Sequence, residues 1–278
     1  MTLPPPKLLA TDLDGTLLAA DGTIHPEDAA AIQALAQRGV RVTFCTGRMH
    51  SGCGHLARQL DLSTPLVCLD GVQIVDPRNG KPVHTEPLPA SAVAPLRDAL
   101  TQLRPMTFLF GSDRIVFDGH GDQAAPYVSI WTEVMDRVDN VLEHPTWDDD
   151  ALGMVAVGEQ ARITELQQCV DGLTQLESAA FISNRPGFEG IWAMVIRRRG
   201  ISKASGLQHL ADLLEISLDE VVAVGDWLND LTMMRAVGRS YAMGQSPPEV
   251  VSAANEVLRA NHHTGGGVAE AARRAGLL

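Results

Sequence analysis

Two aspartates at alternate positions, Asp12 and Asp14, follow the short apolar run Lys7-Leu8-Leu9-Ala10-Thr11 and precede Gly15. A carboxylate held beside a cation stays ionised at pH 7 and can act as a nucleophile. A second carboxylate with freedom to rotate can carry a proton to a leaving oxygen. Gly15 permits the tight turn after such a pair. Far along the chain Val221-Val222-Ala223-Val224 ends in Gly225-Asp226, with Asn229 and Asp230 just beyond. A third run, Val40-Arg41-Val42-Thr43-Phe44-Cys45, ends at Thr46-Gly47. Asp226 would complete an oxygen-rich site for Mg2+, which takes one or two carboxylates plus waters and a phosphate oxygen at about 2.1 Å. Cys45 is the one soft donor in these stretches, so zinc is a poor candidate.

Residues this far apart in sequence need elements that bring them together. The runs ending at Thr11, Cys45 and Val224 have the length and composition of buried strands, as does Leu66-Val67-Cys68-Leu69. Between them, Pro26-Glu27-Asp28 opens a helix with Ala30, Ile32, Leu35 and Ala36 at helical spacing, and Gly39 closes it. A second helix runs through Leu56 to Leu60. A third, Lys203 to Leu214, carries Ala204, Leu207, Leu210, Ala211 and Leu214 near a 3.6 period. Strands alternating with helices predict a doubly wound, mainly parallel α/β sheet. In such a sheet, ligands bind beyond the carboxyl ends of the strands, where all three polar clusters fall.

The texture changes between these stretches. From Gly80 to Arg197 come prolines, strand-like runs (Thr107–Phe110, Ile115–Phe117, Leu152–Val157), helices near 90–103 and 160–176, and an exit strand at Val195-Ile196. This predicts an α+β domain, residues 80–197, inserted into a core made of residues 1–79 and 198–278. No internal repeat or low-complexity segment is present.

Composition narrows the partners. The chain has 278 residues, 22 basic against 34 acidic, and a formal charge of −12. That balance, with 4% aromatics, argues against nucleic acid and anionic membranes, which need basic patches or stacking platforms. Met1 to Lys7 lacks a signal-peptide apolar region, and no window holds about 20 uninterrupted apolar residues. The four cysteines have no C-x-x-C spacing and are expected as reduced, mostly buried thiols. These features predict a cytoplasmic protein whose oligomeric state the sequence leaves open.

The set Asp12-Leu13-Asp14-Gly15-Thr16, Thr46 in Phe44-Cys45-Thr46-Gly47-Arg48, Lys203 at a helix start, and Gly225-Asp226-Trp227-Leu228-Asn229-Asp230 resembles the four motifs of the haloacid dehalogenase (HAD) superfamily of phosphohydrolases. The insertion is similar to the large α/β cap of the Cof-type sugar-phosphatase branch. So are Ile201-Ser202-Lys203-Ala204-Ser205-Gly206-Leu207 and the closing Gly266-Gly267-Val268-Ala269-Glu270. The resemblance implies Asp12 as a nucleophile that becomes an aspartyl-phosphate. Asp14 would be the general acid/base and would lend its backbone carbonyl to Mg2+. Thr46, Lys203 and Asn229 would hold phosphoryl oxygens, Asp226 would ligate Mg2+, and Asp230 would orient Lys203 or the metal's waters. The backbone N–H groups of Leu13 and Gly47, just past strand ends, suit the same negative charge. Two departures are notable: the family often has Asn where Trp227 stands, and Asn-Gly where Asp70-Gly71 stands. Asp70, Gly71 and Trp227 are expected to border the substrate pocket.

The resemblance implies a phosphomonoesterase of a small phosphorylated metabolite, such as a sugar phosphate. A phosphomutase or phosphotransferase using the same aspartyl-phosphate is the alternative. A non-catalytic binder of phosphometabolites is disfavoured, because every expected catalytic group is present. The cap would close over the substrate, with His84, Arg114, Asn184, Arg185 and Trp192 as candidate contacts. The duller readings are a solvated loop for His262-His263, a flexible turn for Gly265-Gly266-Gly267, and a solvated turn for Arg197-Arg198-Arg199.

Overall fold

The structure is a computed structural model that describes residues 3–19, 21–183 and 187–278. The chain forms two compact units. One comprises residues 1–47, 54–84 and 202–278; the other comprises residues 48–53 and 85–201. The long insertion thus begins at Thr85 and ends at Ile201, a few residues later at each end than the composition change suggests.

In the first unit the leading strands are β1 (Leu8–Thr11), β2 (Arg41–Phe44), β3 (Leu66–Cys68), β4 (Gln73–Val75) and β5 (Pro82–Thr85). The second unit supplies β6 (Met106–Phe110), β7 (Ile115–Asp118), β8 (Met135–Val138), β9 (Gly153–Gly158), β10 (Leu176–Ile182) and β11 (Trp192–Arg198). The chain then returns to the first unit for β12 (Val221–Gly225), β13 (Arg239–Ala242) and β14 (Glu256–Val257).

The core sheet is parallel, in the order β14-β13-β12-β1-β2. β1 and β12 are buried along their whole length, as expected of strands covered on both faces. On one face, helix α1 (Pro26–Gln37) begins with Pro at its first position and buries Ala31, Ile32 and Leu35. Asp28 of α1, fully buried, accepts the N–H groups of Gly266 and Ala269 at 3.0 and 2.8 Å. It thereby caps the C-terminal helix Gly267–Arg274. The other face packs Leu8, Ala10, Val67, Leu207, Leu210, Val221, Ala223 and Met233 into one cluster. Val67 comes from the small antiparallel sheet β3-β4-β5, which joins the edge of the core sheet through a parallel bridge between Cys45 and Val67.

The second unit is built on a six-stranded sheet, order β10-β11-β9-β6-β7-β8, antiparallel except for the β7–β8 pair. Helices Ala90–Leu103 and Gln160–Asp171 supply Leu96, Leu100, Ile163 and Leu166 to its core, against Leu109, Met154, Met194 and Ile196. The second helix stops at Asp171, short of the predicted 176. Gly172 follows it, and Leu176 begins the edge strand β10 instead. Among the described residues no helix is long and apolar enough to cross a membrane.

Candidate active site

β1 and β12 are neighbours, and they lie where the strand order reverses: the chain leaves β1 for β2 on one side and later fills β12 on the other. Asp12 follows β1 directly, and its N–H donates to the Val224 carbonyl at 2.9 Å. Asp226 follows β12. The carboxylates of Asp12, Asp226 and Asp230 converge, with ligand oxygens within 4.8 Å of one another.

Lys203 opens α7 (Lys203–Leu213), the seventh α-helix among the described residues, behind a Ser202–Ser205 capping box. A cation in a first helical turn opposes the helix dipole, so the position needs compensation. Two carboxylates provide it. The Lys203 Nζ, wholly buried, donates to Asp12 Oδ1 and to Asp230 Oδ1, each at 2.6 Å. Burial alone would lower the Lys203 pKa, but Asp12 and Asp230 outweigh it and hold the ammonium firmly charged. Burial pushes Asp12 well above the usual carboxylate range; Lys203 opposes that shift, while Asp230 and Asp226 add to it. Asp226 is pushed up to about 6, by burial first and by Asp230 second.

Asp230 is fully occupied. Its Oδ1 takes Lys203, and its Oδ2 accepts the backbone N–H groups of Asp226 and Trp227, both at 2.9 Å. It fixes both the lysine and the loop that carries Asp226. Asp226 in turn accepts from Thr16 Oγ1 at 3.1 Å and from Gln245 Nε2 at 3.2 Å. Gly15 adopts φ +83°, and a Cβ there would meet Asp226 Oδ2 at 2.5 Å, so a side chain is excluded twice over.

The other anticipated residues take different positions. Asp14 is exposed at the turn after Leu13, whose own side chain is buried. Thr46 is buried at the end of β2, with its N–H on the Val67 carbonyl and its carbonyl accepting from Asp70 N–H, both at 2.9 Å; Gly47 follows it. Asn229 Nδ2 donates to Asp70 Oδ1 at 3.0 Å. Gly71, at φ +105°, is buried against the Ser202 carbonyl and Gly206, so it packs α7 rather than lining a cavity. Trp227 is 58% exposed. Arg114 is held by Asp113 and Asp136, His84 lies on His209 with ring centres 4.1 Å apart, and Trp192 pairs within β11. Asn184 and Arg185 fall outside the described residues.

Sequence reasoning missed Gln245, which also donates to the Gly15 carbonyl at 2.7 Å. It stands three residues beyond β13, the fourth parallel strand. The rule that pointed to the other three strand ends would have found it, had β13 been recognised as a strand. Cys45, whose Sγ lies 3.7 Å from the Lys203 carbonyl, is kept protonated, above all by its burial.

The donors fit a hard dication. With all three ionised, three carboxylates against one ammonium would leave two net negative charges in a buried cluster, a state that a bound dication favours, and the acids present oxygens alone. Asp230 spends its oxygens on the ammonium and two backbone N–H groups. Among the described residues, Asp226 is held only by a hydroxyl and a side-chain amide and Asp12 only by the ammonium, so Asp12 and Asp226 could hold such an ion.

The parallel sheet with a lysine and acids gathered at its switch point is a doubly wound α/β fold with a charged site where such folds bind their ligands. A profile of haloacid dehalogenase-like hydrolases matches residues 9–271. The chain belongs to that family, in its Cof-type branch, and is a phosphatase. It is 26% identical over 260 residues to the pyridoxal phosphate phosphatase YbhA of Escherichia coli K12, covering 92% of this chain and 94% of that protein. It is 27% identical over 266 residues to the 5-amino-6-(5-phospho-D-ribitylamino)uracil phosphatase YitU of Bacillus subtilis 168, covering 94% of each. In fold it matches the HAD subclass IIB sugar phosphatase BT4131, with a TM-score of 0.78 at 19% identity over 98% of this chain and 100% of that one.

Proposed function

We propose that the protein is a Mg2+-dependent phosphomonoesterase of small phosphorylated metabolites, sugar phosphates among them, working through an aspartyl-phosphate. The observation that carries this reading is the Asp12 carboxylate, held 2.6 Å from a buried lysine beside Asp226 at the switch point. Asp12 Oδ attacks phosphorus, and the bond from phosphorus to the ester oxygen breaks. Asp14, exposed at the turn after Leu13, gives its proton to the departing alkoxide. Asp14 then takes a proton from water as the water oxygen attacks phosphorus, which frees inorganic phosphate and restores Asp12.

Lys203, Thr46, Asn229 and the N–H groups of Leu13 and Gly47 receive the phosphoryl oxygens, whose charge grows in the transition state. Asp226 and Asp12, with the Asp14 backbone carbonyl, hold Mg2+, which when bound supplies further positive charge against those oxygens. Asp230 positions Lys203. The relatives named for pyridoxal phosphate and for a phosphorylated uracil derivative support a small metabolite as substrate. A cytoplasmic setting, where thiols stay reduced, suits the three buried cysteines.

Asp12→Asn is expected to abolish phosphate release from p-nitrophenyl phosphate, by roughly 10⁴-fold or more, with an unchanged thermal unfolding profile. A chelator should silence the wild type, and added Mg2+ should restore it. Persistent turnover by Asp12→Asn would remove the nucleophile assignment.

A further inference from the structure

The loop between Asp226 and Asn229 carries two consecutive large apolar side chains in water. Trp227 is 58% exposed, the highest value among the described large hydrophobics, and Leu228 is 46% exposed. Their neighbours on the same loop are spoken for. Asp226 faces Thr16 and Gln245, Asn229 donates to Asp70, and Asp230 grips Lys203.

The Trp227 backbone is not free to carry the indole away. Its N–H is fastened to the buried Asp230 carboxylate, and its φ and ψ of −124° and 174° place it in an extended turn entry. An indole has only two side-chain torsions to lose on contact, which makes it an inexpensive stacking surface. Trp227 stands next in sequence to Asp226, a carboxylate assigned to the reaction centre.

We propose that Trp227, flanked by Leu228, is a specificity-determining residue: the platform on which the leaving group stacks. The preferred substrates are then phosphomonoesters whose alcohol carries a planar heteroaromatic ring. A sugar presents hydroxyls on every side and needs hydrogen-bonding partners for them. Trp227 and Leu228 offer broad apolar surface with the indole N–H as its single side-chain donor, and the amide on the same loop, Asn229, donates to Asp70. A flat ring poor in hydroxyls suits that surface, because stacking needs a π-face and little else.

This inference rests on the phosphatase reading and is tested separately from it. Phosphate release is measured for the wild type, Trp227→Ala and Trp227→Phe with pyridoxal 5′-phosphate and with glucose 6-phosphate. The wild type should favour the pyridoxal ester in kcat/KM. Trp227→Ala should lose about tenfold on that ester, which corresponds to ~1.4 kcal/mol. Its loss on the sugar ester should be smaller, so that the ratio of the two kcat/KM values falls, while Trp227→Phe keeps most of the preference. Because the side chain is largely in water, thermal unfolding should not move.

Equal losses on both esters, no loss on either, or a wild type that prefers the sugar ester would each overturn the stacking role. Each of those results leaves the phosphatase reading intact, since that reading stands or falls with Asp12→Asn on p-nitrophenyl phosphate.

Discussion

At the scale of single residues, the buried group with the most dependants is Asp230. One carboxylate holds the ammonium of Lys203 and two consecutive backbone N–H groups, and it has no solvent exposure. Asp230→Asn keeps the shape but removes the charge. The amide then has one oxygen for three donors, and Lys203 retains only Asp12 as a charged partner. Breaking a buried pair from one side typically costs about 3–5 kcal/mol. Asp230→Asn should therefore lower the unfolding free energy from urea titration by an amount in that range, with a lower midpoint, and reduce kcat as Lys203 drifts. An unchanged midpoint with full activity would show that the lysine is held by Asp12 alone. Asp12, Asp226 and Asp230, which the structure brings together, were legible in the sequence, because each sits within a few residues of an apolar run that reads as a strand; Asp14 is exposed at the turn beside them in sequence. What one carboxylate does for the other groups was not legible. That Asp230 serves three donors and leaves Asp226 to Thr16 and Gln245 depends on distances no spacing encodes.

At the scale of elements, the position of Lys203 is set by a contact between two glycines. Gly71 lies in the turn after β3, and Gly206 in the first turns of α7. A Cβ on Gly206 would meet the Gly71 Cα and Val67 Cγ1, each at 2.6 Å. Gly206→Ala should push α7 off the turn, costing about 1–3 kcal/mol as an overpacked contact and lowering kcat by moving the lysine. Gln208→Ala, on the exposed side of the same helix, is the control and should change neither. Thermal unfolding and kcat on p-nitrophenyl phosphate read both.

The same region explains where sequence reading stopped. β1, β2, β3 and β12 are short, apolar and followed by polar residues, so their existence was plain. β13, Arg-Ser-Tyr-Ala, is half polar and announces nothing, and Gln245 was lost with it. The predicted helix near 160–176 overran because Leu176 extends the apolar spacing of Ile163, Leu166 and Val170, and β10, Leu176–Ile182, was not anticipated. Pairing with β11 overrides that local pattern.

At the scale of the whole molecule, the thiols report on how tightly each part is closed. Cys45, Cys53 and Cys68 are buried and Cys169 is exposed. Burial also holds the Cys45 thiol protonated, and the thiolate is the reactive form. Iodoacetamide should therefore modify the native protein at Cys169 and reach the other three only in denaturant, as mass spectrometry of peptides would show. Early labelling of Cys45 would mean that the core opens beside the reaction centre. The division into a split core and an insertion was legible from the change in texture near residues 80 and 197. The membership of residues 48–53 in the second unit was not, because nothing in that hexapeptide differs in composition from the helix it begins.

The pairing of β1 with β12 joins Leu8 to Val221 and Thr11 to Val224, across more than two hundred residues. On the ribosome, at about 5–20 residues per second, roughly 10–40 s pass before the first strand can meet this neighbour. During that interval β1 has β2 alone beside it, and a lone pair of strands is marginal in water. Residues 85–201, contiguous and equipped with their own sheet, are complete well before the core is. The strand that leads to Asp12 is thus among the first segments made and among the last to be enclosed. The acidic cluster waits for the final quarter of the chain, which supplies Asp226 and Asp230, so a product truncated before residue 226 lacks two of its three carboxylates.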